Sequence, residues 1–239
     1  MTAPDLRPPL VLLHGALGTA AQLAPLAELL EPRFRVLTLD FAGHGPRPAK
    51  ANNWRIGHFV ENLAELLIAE NRGPARVFGY SMGGYVALAL AAQRPALVHS
   101  VVTLGTKFVW DEATAAAEAT RLDPAVIAAK VPGFAATLAS RHAEGAGWEA
   151  VVRGTAEVLR DLGRAPLLSP AVLAGIPHPV RVLVGDRDAT VSIEETANAY
   201  RMLPAGQLGV LPGIPHPLER VNPLAMVAAH INGFLELKT

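Results

Sequence analysis

Short, apolar stretches alternate with longer helical patterns along almost the whole chain, and this alternation constrains the fold more than any other feature. Residues 10–13, 35–39, 76–79, 100–104, 180–184 and 207–211 read as strands; residues 20–30, 54–71, 82–93, 193–202 and 223–235 read as helices. Several of the strands are apolar at consecutive positions, as expected for parallel strands covered on both faces. The pattern predicts an α/β fold with a mostly parallel, doubly wound sheet. Right-handed crossovers then bring the C-terminal ends of the strands, with the loops that follow them, to one edge, where open sheets of this kind bind ligands. With 51% hydrophobic and 18% charged residues among 239, the chain has the apolar material for one large core.

The rhythm breaks once. Between the strands ending near Gly105 and starting near Val180 lie about seventy residues, more than one crossover requires. Helical patterns at 111–120, 124–130, 134–142 and 148–162 fill them. The expectation is a helical cap at 107–175 inserted over the active edge of a core formed by 1–106 and 176–239, all within one structural domain.

Lysine and arginine number 21, as do the acids, so no basic face is implied and nucleic acid is not an expected partner. There are no cysteines, which removes disulfides, thiolate metal sites and cysteine nucleophiles together. The start, MTAPDLRPPLVLLHG, carries an acid and prolines and does not read as a signal peptide. No apolar run is long enough to span a bilayer. A soluble, cytoplasmic protein is the expectation.

Gly79-Tyr80-Ser81-Met82-Gly83 follows the apolar run 75–78 and precedes the helix pattern 84–90, the strand–turn–helix setting in which a G-x-S-x-G serine becomes a nucleophile. A serine on so tight a turn projects its hydroxyl above the sheet at a helix N-terminus, whose dipole favours developing negative charge. The N–H of Met82, directly after it, is a candidate oxyanion donor.

GYSMGG, together with the upstream LLHGALG and LDFAGHG and the later VLVGDRD and PGIPHP, resembles the α/β-hydrolase superfamily in order and spacing over nearly the whole chain except the cap. A serine in this place argues against the dehalogenase and epoxide-hydrolase branches, which use aspartate. A serine needs a base, and the base a third group to orient it. Of eight histidines, His216 alone follows the last strand at the active edge, and it satisfies the superfamily order of serine, acid, histidine. Asp186 and Asp188 compete as the acid; the resemblance implies Asp188, with Asp186 bracing the loop. It also implies that Ala16, after His14-Gly15, supplies the second oxyanion amide, while His14 and the Asp40–Gly45 turn are structural.

Ser81, Asp188 and His216 as triad, with Ala16 and Met82 as oxyanion donors, imply carboxyl-ester hydrolysis of a small to medium, partly apolar substrate. Leu17 and the cap aromatics Trp110 and Phe134 are candidate substrate contacts. Within the same superfamily lie C–C bond hydrolases, lactonases and a synthase of menaquinone biosynthesis, and a non-catalytic receptor on this fold is a further alternative. No phosphate-cradling glycine loop and no metal-ligand spacing occurs, so neither cofactor nor metal is expected.

Overall fold

A computed structural model describes residues 5–49 and 54–235, so the chain start weighed above as a leader lies partly outside the described residues. Six strands, β1 (Pro9–Leu13), β2 (Arg35–Leu39), β3 (Ala75–Tyr80), β4 (Val98–Leu104), β5 (Val180–Arg187) and β6 (Gly206–Pro215), form one sheet in the order β2-β1-β3-β4-β5-β6. Every pairing is parallel. Chain order runs outward in both directions from the β1–β3 boundary, and the loops that follow those two strands diverge there to open a crevice.

Alternation along the strands divides the core. Leu10, Leu12, Phe78 and Val102 face one side, packed with Leu26 and Leu30 of α1 (Ala24–Leu30) and with Val227, Ile231 and Phe234 of α10 (Leu224–Leu235). Val11, Leu13, Val77, Val101 and Val182 face the other, against α2 (Ile56–Glu70), α3 (Met82–Gln93) and α9 (Ile193–Met202). Helices thus cover both faces, as the consecutively apolar strands require. Buried α3 is apolar all round, from Gly83 to Ala91.

Between β4 and β5 the chain builds α4 (Glu112–Thr120), α5 (Pro124–Lys130), α6 (Pro132–Arg141), α7 (Trp148–Arg164) and α8 (Pro170–Ala174). Asp111, Asp123 and Ser169 cap α4, α5 and α8 by accepting hydrogen bonds from first-turn amides. Helix α7 buries Val151, Val152, Thr155, Val158 and Leu162 at helical spacing. A small core of their own, made by Ile127, Ala135, Leu138, Val151 and Val152, takes in Leu17 from the sheet side, with Trp54 packed against it.

Candidate active site

Ser81 lies between β3 and α3 with φ 52° and ψ −116°, a left-handed backbone rarely taken by a residue with a side chain. Such a conformation costs on the order of 1–3 kcal/mol and persists only where surroundings over-determine it. Here its N–H donates to the Leu104 carbonyl at 2.8 Å and its carbonyl accepts from Thr106 Oγ1 at 3.0 Å. The flanking glycines are steric necessities: a Cβ at Gly79 would sit 2.4 Å from the Gly83 carbonyl oxygen, and one at Gly83 would sit 2.6 Å from that of Leu13.

Asp188 follows β5 directly. Its Oδ1 accepts from the amides of Thr190 and Val191, each at 2.8 Å, and its Oδ2 lies 2.8 Å from His216 Nδ1. Burial pushes its carboxyl up, but the His216 bond and the two amides outweigh this and hold it below the ordinary carboxylate range. The carboxylate is therefore ionised at neutral pH and accepts the Nδ1–H of His216. Ser81 and His216 line one cavity. Among the described residues no hydrogen bond is formed by the Ser81 hydroxyl or by His216 Nε2.

Asp186 is turned away from the imidazole. Its Oδ1 accepts from the Gly213 amide at 2.6 Å, bracing the bend in β6, while Arg187 Nε stands 4.0 Å off. The two aspartates separate because the pairing of β5 with β6 shifts register between Gly185 and Arg187.

Ala16 and Leu17 are the central residues of a tight turn closed by the Gly18 amide on the Gly15 carbonyl at 3.1 Å. Among the described residues the Ala16 N–H meets no protein acceptor. Met82, as the first residue of α3, has no acceptor within the helix for its own. Both residues line the cavity with Ser81. Behind them His14 donates from Nδ1 to the Gly15 carbonyl at 2.8 Å and accepts the Phe41 amide on Nε2 at 3.2 Å. Burial lowers its pKa to about 4, so it stays neutral and braces the loops. Asp40 likewise accepts the Ala20 amide at 2.8 Å.

The cavity measures about 340 Å³ and is walled largely by apolar side chains, among them Leu17, Ile56, Met82, Trp110, Leu159 and Leu162. Its charged members are paired: Lys107 with Glu195 at 3.5 Å, Arg121 with Glu118 at 3.3 Å. Of the cap aromatics singled out from sequence, Trp110 reaches the cavity and Phe134 does not. Phe134 is 42% exposed, because α6 turns Ala135 and Leu138 inward instead. On the side of the 107–175 segment the wall also includes Leu122, just after α4, and Thr155, Leu159 and Leu162 of α7.

Two residues went unnoticed in the sequence. Gly105 has φ +61°, and a Cβ there would lie 3.0 Å from Asp188 Oδ2 and 3.2 Å from His216 Nδ1. Tyr80, partly buried and held protonated by desolvation, donates its hydroxyl to the His216 carbonyl at 2.8 Å. A glycine ending an apolar strand is a faint signal for the first; nothing local marks the second. Among the described residues no three His, Asp or Glu side chains gather as a metal would need, and no helix is long and apolar enough to cross a membrane.

Residues 8–147 match the family model of the alpha/beta hydrolase fold. Over 87% of this chain and 87% of its own length, pimeloyl-[acyl-carrier protein] methyl ester esterase of Chromobacterium violaceum is 32% identical. 2-(Acetamidomethylene)succinate hydrolase of Mesorhizobium japonicum is 26% identical over 94% of this chain and 87% of its own. A thermophilic esterase from Thermogutta terrifontis, solved with malate bound, superposes with a TM-score of 0.79 at 24% identity, covering 96% of this chain and 90% of its own, a likeness that speaks to the fold alone. A six-stranded parallel sheet flanked by helices, with a family match over more than half of the sequence, makes the chain a member of the α/β-hydrolase fold family of hydrolases.

Proposed function

We propose that this chain is a serine hydrolase acting through Ser81, His216 and Asp188, and that its reaction is hydrolysis of a carboxylic ester with a small to medium, partly apolar body. The 2.8 Å contact between Asp188 Oδ2 and His216 Nδ1, in a cavity shared with a serine on a strained strand–helix turn, carries the reading.

His216 Nε2 takes the Ser81 proton as Oγ attacks the ester carbonyl. The tetrahedral oxyanion receives hydrogen bonds from the Ala16 and Met82 amides, and Asp188 stabilises the imidazolium. Collapse expels the alcohol with a proton from Nε2. Water, deprotonated by the same nitrogen, then attacks the acyl-enzyme, and Ser81 leaves with that proton. The apolar walls suit an acyl or alkyl chain. The first relative above is an ester hydrolase by name, which supports the ester bond as the target.

Turnover of p-nitrophenyl esters of graded chain length, with fluorophosphonate labelling of Ser81, tests the proposal. Ser81→Ala should fold normally, refuse the label and lose kcat/KM by on the order of 10⁴-fold or more. A labelled serine with inert esters would point to C–C or lactone cleavage instead, and an unlabelled Ser81 at neutral pH to a receptor.

A further inference from the structure

Leu17 is the third residue of the 15–18 turn and has φ +58°. That position with positive φ belongs to glycine or asparagine; a leucine there is strained. It is nonetheless nearly buried, and what holds it comes from the cap. Its carbonyl accepts two hydrogen bonds, from Arg141 Nη1 and from His142 Nε2, each at 3.1 Å. Its side chain packs into the cap's own core with Ile127, Ala135 and Leu138.

The two donors are themselves fixed. His142 is fully buried at the end of α6; its Nδ1 accepts the Gly45 amide at 3.0 Å, which puts the ring proton on Nε2, toward Leu17. Burial favours this neutral form. A Cβ at Gly145 would fall 2.1 Å from the Gly45 carbonyl oxygen, so the cap backbone lies directly on that loop. Arg141 pairs with Glu219 at 2.8 Å, and Glu219 also accepts from the Gln22 side chain, whose Oε1 takes the Thr19 amide at 2.9 Å. One end of one helix therefore grips the loops after β1 and β2 and the segment just beyond His216.

We infer that Arg141 and His142 are positioning residues for the oxyanion hole: by holding the Leu17 carbonyl they keep the 15–18 turn left-handed and the Ala16 amide aimed at the reacting oxygen. The cap thereby completes the catalytic apparatus as well as walling the cavity. This rests on the serine-hydrolase reading.

The test compares Arg141→Met/His142→Leu, Arg141→Met alone and His142→Gln with the parent protein. Gln Nε2 reaches about where His Nε2 stands and restores the donor. The double variant should lose roughly 100-fold in kcat with KM little changed, the scale of one oxyanion donor. Affinity for an alkylboronic acid, which forms a tetrahedral anionic adduct on serine, should weaken in proportion. His142→Gln should recover most of both, and Arg141→Met should fall between, carrying the test where the double variant does not fold. A crystal structure of the double or the single variant should show Leu17 leaving the left-handed region. Unchanged kcat and boronate affinity, a loss confined to KM, or an unaltered 15–18 turn would each overturn the inference. The turn geometry is read without turnover, so a parent protein inert toward esters would sink the ester reading and leave this inference to be decided by that structure.

Discussion

A carboxylate orients a histidine only from one place, and two aspartates two residues apart can divide between them the work of holding a loop and holding a base. Asp186 takes the first task through the Gly213 amide and Asp188 the second through His216 Nδ1. Asp188→Asn would present an amide to Nδ1, favour the wrong tautomer and lower kcat by about 10⁴-fold with little change in fold. Asp186→Ala should remove an exposed brace costing about 1 kcal/mol of stability and leave kcat within about tenfold. Steady-state kinetics with thermal melts separates the two, and the reverse ranking would exchange the roles. Both aspartates were visible in the sequence as GDRD, and the family resemblance pointed to Asp188 as the acid with Asp186 as the brace; what the sequence did not show is the bend that turns them apart. It arises from a register shift between strands β5 and β6, whose pairing partners are distant in sequence.

Helix α7 shows the same division at the scale of an element. Its amphipathic period was legible over 148–162, and the helix runs to Arg164. Which of its residues wall the cavity was not: Thr155, Leu159 and Leu162 do so at i, i+4 and i+7, because α7 lies against α4 and α2 in one particular rotation. Helix α7 also lies directly on Trp54, just before α2, because position 154 is glycine, where a Cβ would meet that ring at 2.0 Å. Leu159→Trp should fill part of the cavity and move the optimum of the p-nitrophenyl ester series to shorter acyl groups, with about tenfold lost in kcat/KM at the long end. An unchanged chain-length profile would remove Leu159 from the binding wall. Phe134 marks the limit of composition as a guide: an aromatic residue in the cap looked like pocket and lies on the outer surface.

For the whole molecule, three buried histidines link the loops after β1 and β2 to the end of α6. His14 and His44 have ring centroids 5.0 Å apart, and His44 and His142 5.9 Å. Burial depresses all three, His14 from 6.5 to about 4. Groups held neutral in the folded state bind fewer protons than in the unfolded chain, so stability rises with pH through that window. Their contribution is complete above about pH 6.5 and is lost progressively as pH falls toward 4. The melting temperature should therefore drop steadily from pH 7 to pH 4.5 in calorimetry; a flat profile would contradict it. From the residues alone followed the sheet, the edge on which its loops converge and the serine at its centre, because hydropathic period and the steric demands of G-x-S-x-G act over a few neighbouring residues. Only the tertiary structure showed the separate hydrogen bonds of the two aspartates, the cavity wall and the hold of Arg141 and His142 on the Leu17 carbonyl, since each depends on how elements far apart in the chain come to rest against one another.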